Sequence, residues 1–254
     1  MKELIYKLID VFTGGKGLKK SFHNKDVRLP TRFINYFPSN YEAENFTFLE
    51  KQLKPGAVVL DIGAHIGLFA VVAAKMTGAR GKIYAFEPSP ATKTILEKTI
   101  AINQLGQTIF PVAEAMSKEV GTITFFVSDN EADNGNSLVS YKDDRKLEGI
   151  NVPVNTIDHF TAERKLSTVD FIKIDVEGAE YDTLRGGAEV FAKYRPACIL
   201  SIHPIPIKVK GDKLEDIYDH VQLMNYGIYY DDKPMTKAAF CANEEMIDLH
   251  ILPL

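Results

Sequence analysis

Three short stretches carry carboxylates and glycines at spacings suited to holding a nucleoside. They are "LDIGAHIG" from Leu60 to Gly67, "AFEP" from Ala85 to Pro88, and "KIDVEGAE" from Lys173 to Glu180. In the first, a strand-like apolar run ends in glycines, which let the backbone turn tightly and approach a ligand without a Cβ clash. The dinucleotide fingerprint G-x-G-x-x-G, begun at Gly63, would need glycine at positions 65 and 68, which hold His65 and Leu68. What stands instead is D-x-G-x-x-x-G, made of Asp61, Gly63, Ala64, His65 and Gly67. A carboxylate in front of the turn repels a pyrophosphate and attracts an amine or a cation.

The second stretch places Glu87 beside Pro88, which stops the strand before it. A carboxylate there can accept hydrogen bonds from both ribose hydroxyls and would repel a 2′-phosphate. The two strand ends together describe a site for a nucleoside with free ribose hydroxyls and a positively charged or amine-bearing tail. S-adenosylmethionine fits that description. A nucleotide-dependent oxidoreductase is the rival, and the failed fingerprint counts against it.

The third stretch holds the candidates for chemistry. Alternation along a strand would set Lys173, Asp175 and Glu177 on one face if the strand ran that far. A lysine in a buried strand needs a partner, and Asp175 is the nearest in sequence. Lys173 and Glu180 read as members of a structural ion-pair corner, and Asp175 as functional. His203, in "LSIHP", ends another apolar run, and an imidazole with an ordinary pKa near 6.5 suits a base at neutral pH. Asp175, Glu177 and His203 could also hold a divalent ion, although no ligand-spacing motif supports a metal. Methyl transfer is an in-line displacement, for which the protein aligns the groups and a base removes a hydroxyl proton.

These residues need elements to position them. From about Ala57, short β-branched runs alternate with helical patterns. "AVVLDIG", "KIYAFEP", "TIFPVAEA", "TVDFIKIDVEG" and "ACILSIH" read as strands. "LFAVVAAKM", "SPATKTILEKTIAINQLG" and "KLEDIYDHVQLMNYG" read as helices. A further helical stretch runs unevenly through Gly186 and Gly187 to Tyr194, and "IYYDD" and "MIDLHIL" close the chain as strands. Such alternation predicts a Rossmann-like α/β fold, a mostly parallel sheet with helices on both faces. "GTITFFV" and "GINVPVN" predict a hairpin-like pair around the polar stretch "SDNEADNGNSLVSYKDDRK", a candidate binding loop within an insertion at about 119–156.

Composition bounds the rest. The chain has 254 residues, 45% hydrophobic and 25% charged, as in ordinary globular proteins, with a formal charge of -4 that argues against a nucleic-acid partner. Two cysteines build neither a disulfide framework nor a zinc cluster, and Cys198 reads as a buried free thiol; a cytoplasmic location is the expectation. No apolar run is long enough to span a membrane. The opening "MKELIYKLIDVF" has a helical apolar stripe, expected to pack on its own domain, with a membrane-surface or partner-binding helix as the alternative.

In their order and spacing, "LDIGAHIG", "AFEP" and "KIDVEGAE" resemble the FkbM family of S-adenosylmethionine-dependent class I methyltransferases, over roughly residues 41–203. The resemblance implies a seven-stranded sheet with the cofactor over its first two strands. It implies that Gly63 to Gly67 line the methionine part, that Glu87 holds the ribose, and that adenine lies near "VAEAMS", with Glu114 and Ala115 as contacts. It implies O-methylation of a sugar, glycan or secondary metabolite as the activity, for which Asp175, Glu177 and His203 are the candidate catalytic group. Residues 51–254 would form the methyltransferase domain, with 1–50 covering the acceptor side. The acceptor would be a small molecule or glycan, and an oligomer is compatible with the sequence. Departures from the family pattern at His65, Lys118 and Ser201 keep open the other alternative, a non-catalytic cofactor-binding subunit.

Overall fold

A computed structural model describes residues 2–128 and 147–254. The chain begins with helix α1 (Lys2–Phe12), the hairpin β1 (Leu18–Phe22) and β2 (Lys25–Leu29), and α2 (Ala43–Gln52). Strictly alternating units follow: β3 (Val58–Ile62), α3 (Leu68–Thr77), β4 (Lys82–Phe86), α4 (Pro90–Ile102) and β5 (Ile109–Val112). An excursion through β6 (Ala115–Met116), β7 (Gly121–Ser128) and β8 (Leu147–Asn155) leads into α5 (Ile157–Glu163) and β9 (Phe171–Ile174). The chain then runs through α6 (Glu180–Arg185), α7 (Ala188–Tyr194), β10 (Ala197–Ile202), α8 (Pro204–Lys210), α9 (Leu214–Leu223) and β11 (Tyr226–Tyr230). It ends with β12 (Lys233–Pro234), α10 (Lys237–Cys241) and β13 (Ile247–Pro253).

The central sheet has the order β12-β11-β13-β10-β9-β3-β4-β5. The five strands from β10 to β5 are mutually parallel, and β13 enters antiparallel beside β10. The expected seven strands are present, and the two-residue β12 adds an eighth at the edge. Every residue of β3, β9 and β10 is buried, as strands covered by helices on both faces must be. One face packs Phe46, Phe48, Phe69 and Ile199; the other packs Phe86, Phe160, Ile174 and Leu184. Strand order reverses between β3 and β9, so the crevice outside their carboxyl ends is where a doubly wound sheet binds its ligand.

Local signals account for several boundaries. Ser89 caps α4 by accepting from the Thr92 N–H, with Pro90 in the first turn. The uneven helical stretch breaks into α6 and α7 at Gly186 and Gly187. β7 and β8 pair antiparallel as predicted, while residues 129–146 of the candidate binding loop lie outside the described residues. The expected single strand "TIFPVAEA" divides, because β6 leaves the central sheet to pair with β8. Helix α8 was not predicted, nor was the β1–β2 hairpin.

Helix α1 corrects another expectation. Its apolar stripe faces solvent, with Leu8 52% and Phe12 89% exposed. The helix is attached through its polar side instead, by a hydrogen bond from the Thr31 hydroxyl to Asp10. By contrast, Phe22, Val27, Leu29, Phe46 and Leu49 of the following elements are buried in the same core as α3. Among the described residues no helix is long and apolar enough to cross a membrane.

Candidate active site

The turn after β3 is shaped by close backbone contacts. The N–H groups of Gly63 and Ala64 both donate to the Phe86 carbonyl, at 3.1 and 2.9 Å, tying the turn to the end of β4. Gly63 has φ +88°, and a Cβ there would lie 1.8 Å from the Asp175 carbonyl oxygen. Only glycine lets β9 exit across this turn. His65 adopts φ 49°, and its N–H donates to Glu87 Oε2 at 3.1 Å. The Ser89 N–H donates to the other oxygen, Oε1, at 2.9 Å. Two backbone donors thus fix the orientation of the Glu87 carboxylate, and burial pushes its pKa up to about 7 despite them.

The "KIDVEGAE" stretch resolves into four roles. β9 ends at Ile174, so strand alternation does not extend to Glu177. Glu177 and Gly178 turn the chain through positive φ, 51° and 109°. Lys173, only 3% exposed, donates to Asp175 Oδ2 at 2.7 Å and lies 3.9 Å from Glu42 Oε1. Burial alone would depress its pKa, but the charges of Asp175, Glu42 and Asp61 outweigh that and hold it well above the ordinary value. Glu180, fully buried, accepts from the Gly178 N–H at 3.0 Å and faces His203 Nδ1 at 2.8 Å.

His203 is the N-cap of α8, and its Nε2 lies 3.6 Å from Asp175 and 3.9 Å from Glu177. Burial would lower its pKa, but the bond to Glu180 and the charges of Glu180, Asp175 and Glu177 raise it to about 9. These neighbours favour the imidazolium at neutral pH, in contrast to the ordinary pKa near 6.5 expected from the sequence. Asp175 is affected in the opposite sense. Burial would raise its carboxyl, but Lys173 and His203 hold it below the ordinary range.

A cavity of about 420 Å³ collects most of these residues. Gly63, Ala64, His65, Glu87, Pro88, Glu114, Ala115, Asp175, Glu177 and His203 all line it. Two expected cofactor residues do not. Asp61 is fully buried in β3 opposite Lys173, with neither oxygen hydrogen-bonded, and burial pushes its pKa up to about 6. The backbone N–H of Ala70 works against that rise. Gly67 begins α3 at φ 89°, where a Cβ would meet Leu96. Glu114 accepts from Asn155 Nδ2 at 3.0 Å.

The cavity also takes residues that the sequence reading did not single out. Phe37, Tyr41 and Glu42 come from the segment before α2, Phe125 from β7 and Met246 from the turn before β13. No motif marks them; for Phe37, Tyr41 and Glu42 the signal was the aromatic density of "RFINYFPSNYE". The structure fits S-adenosylmethionine on its own terms. The lining sets five carboxylates against Lys173 and His203, which suits a cationic ligand, and the volume lies within the ~300–1,000 Å³ of small-molecule sites. The glycine turn brings the backbone of Gly63 and Ala64 to the cavity wall, where a Cβ on Gly63 would clash with the Asp175 carbonyl. Among the described residues no group of three His, Cys, Asp or Glu side chains could hold a metal ion.

Comparison with known proteins agrees with this geometry. A family model described as the methyltransferase FkbM domain matches residues 61–228. The chain is 30% identical over 155 residues to the 2-O-methyltransferase NoeI of Sinorhizobium fredii, covering 56% of this chain and 62% of that one. It is 25% identical over 154 residues to the methyltransferase sdnD of Sordaria araneosa, covering 50% and 59%. It thus spans less than two thirds of the length of either relative. A crystal structure described as an rRNA-methylase from Clostridium thermocellum superposes with a TM-score of 0.51 at 9% identity, covering 83% of this chain and 93% of that one. At that identity the likeness is one of fold alone.

Proposed function

Because the chain belongs to the methyltransferase FkbM domain family, whose cofactor is S-adenosylmethionine, we propose that it moves a methyl group from that cofactor to a hydroxyl oxygen of a sugar, glycan or secondary metabolite. The observation that carries this reading is a cavity in which the Gly63 turn, the backbone-held Glu87 and the Asp175 carboxylate face one space. The name of NoeI supports oxygen as the accepting atom.

When bound, the cofactor supplies an electrophilic methyl group on a cationic sulfur. The rest is the work of this chain. Glu87 would accept the ribose hydroxyls through the lone pairs that His65 and Ser89 leave unused. Glu114 and Ala115 would bound the adenine, with Met116 and Phe125 as apolar walls. The segment 1–50 would cover the acceptor side through Phe37, Tyr41 and Glu42.

The carboxylates of Glu87, Asp175 and Glu177 contribute chiefly to affinity. Positive charge on the sulfur is dispersed in the transition state, so fixed negative charges favour the bound cation at least as much as the transition state. Acceleration must come from alignment and from removing the hydroxyl proton. Asp175, paired with Lys173 and His203, is a poor proton acceptor and serves to position; His203 serves by holding Asp175 and Glu177.

Calorimetry with S-adenosylhomocysteine tests the cofactor assignment. The native chain should bind it, and Glu87→Ala should weaken binding at least tenfold; no binding, or indifference to the substitution, would sink it. Labelled methyl transfer to hydroxylated acceptors tests the atom, and transfer confined to amines or carbon would refute oxygen.

A further inference from the structure

A second cavity, of about 400 Å³, opens beside the first and shares two wall residues with it, Glu42 and Met246. Its floor is a built network. Asn45 Nδ2 donates to Asp248 Oδ2 at 2.8 Å, and the Ser201 hydroxyl donates to Asp248 Oδ1 at 2.5 Å. His250 Nε2 meets Asn45 Oδ1 at 3.1 Å, so that nitrogen carries the proton. The ring lies flat on Phe48, with centroids 3.9 Å apart. His250 is 8% exposed, and its Nδ1, left as a bare lone pair, has no partner. Asn40, Glu44, Tyr230 and Asp231 add to the walls, and among the described residues no lysine or arginine lines the space.

Glu42 stands at the junction. It precedes α2 in the left-handed conformation, φ 50°, which turns the chain into the helix. Its side chain is 11% exposed; Oε1 lies 3.9 Å from Lys173 Nζ and Oε2 has no hydrogen-bond partner. The other carboxylates of the first cavity are already engaged. Asp175 holds Lys173, Glu177 faces His203, Glu87 takes two backbone N–H groups, and Glu114 holds Asn155.

We propose that the second cavity is the acceptor's subsite, selecting a hydroxylated ligand that is neutral or cationic, and that Glu42 takes the proton of the attacking hydroxyl. The proposal rests on the methyltransferase reading above. The oxygen–methyl bond forms as the sulfur–methyl bond breaks, and the bonding pair stays on sulfur, which becomes a neutral thioether. The hydroxyl proton passes to the Glu42 carboxylate. Acceptor side chains without cations suit sugar hydroxyls or an ammonium, and the Tyr230 ring offers a face for C–H groups; a phosphate or uronate would meet like charge. Burial pushes the Glu42 carboxyl up to about 7, against the pull of Lys173 and with Asp248, Asp175 and Asp61 adding to the rise. Tyr41, the remaining titratable neighbour, has its hydroxyl pushed well above the ordinary value by burial and the Glu42 charge, so it stays neutral.

The test is saturation-transfer NMR on the full chain saturated with S-adenosylhomocysteine, with methyl glucoside, glucosamine and glucuronate as probes. Methyl glucoside and glucosamine should receive saturation and glucuronate should not, and the exposed substitutions Tyr230→Ala and Asp231→Asn should lower the signal several-fold. Signals unchanged in both variants, or equal for glucuronate, would overturn the subsite. If S-adenosylhomocysteine itself fails to bind, the methyltransferase reading falls; if it binds and neither glycoside does, only the subsite falls. Glu42→Gln should leave the S-adenosylhomocysteine Kd within about twofold, cut methyl transfer to a bound glycoside by about 10²-fold or more, and abolish the rise of rate through pH 7. A matching loss of cofactor affinity, an unchanged rate, or a bound glycoside that is never methylated would overturn the role of Glu42.

Discussion

The proton on His203 can be weighed directly. In the folded chain it sits between Glu180, Asp175 and Glu177, and its pKa rises from 6.5 to about 9. At about 1.4 kcal/mol per pH unit, that rise corresponds to about 3 kcal/mol of stability. Folded His203 keeps its proton up to about pH 9, while the unfolded chain loses it near pH ~6.5. The stabilisation is therefore fully present below pH 6.5 and is lost as pH rises through 9. Urea unfolding of the native chain and of His203→Gln, at intervals between pH 6 and 9.5, measures it. Glu42 and Glu87, which also titrate, do not touch His203, are common to both proteins and cancel in the difference. The native advantage should shrink by about 3 kcal/mol across that interval. Parallel stability curves would refute the reasoning, because they would mean that the carboxylates around the ring do not hold its proton.

Three further outcomes follow from the same geometry. Gly63→Ala adds the strain of positive φ, about 1–2 kcal/mol, to a clash with the Asp175 carbonyl, so it should abolish S-adenosylhomocysteine binding in calorimetry and lower Tm. Lys173→Ala leaves the buried Asp61 and the Glu42 and Asp175 carboxylates without their shared cation, and chemical denaturation should show a loss of about 3–5 kcal/mol. Cofactor affinity should rise with pH through about 7, as the Glu87 carboxyl ionises and becomes a better acceptor, and Glu87→Gln should flatten that dependence in calorimetric titrations.

The order of strands and helices, and the turns that end them, were legible because they depend on local patterning. Continuous apolar runs marked β3, β9 and β10, and Pro88 marked the end of β4. Glycine at 63 and carboxylates at 87 and 175 stood out because each breaks the local pattern at a strand end. Elements with little pattern to break, such as α8 and the β1–β2 hairpin, were missed. The apolar stripe of α1 was read correctly as helical but not as exposed, since periodicity shows a face and not what covers it.

By itself, then, the sequence determined that glycine and carboxylates stand at the ends of three strands and that a cationic nucleoside was the fitting ligand. Only the tertiary structure decided what state those groups are in. Against the effect of burial, the bond to Glu180 and the charges of Glu180, Asp175 and Glu177 favour the cationic form of His203, and Lys173 and His203 favour an ionised Asp175. The fold also brought Glu42 from before α2 to the edge of Lys173, a neighbour far away along the chain. Protonation depends on desolvation and on charges within a few ångströms, and those neighbours are set by the packing of α2 on the sheet, which no local spacing encodes.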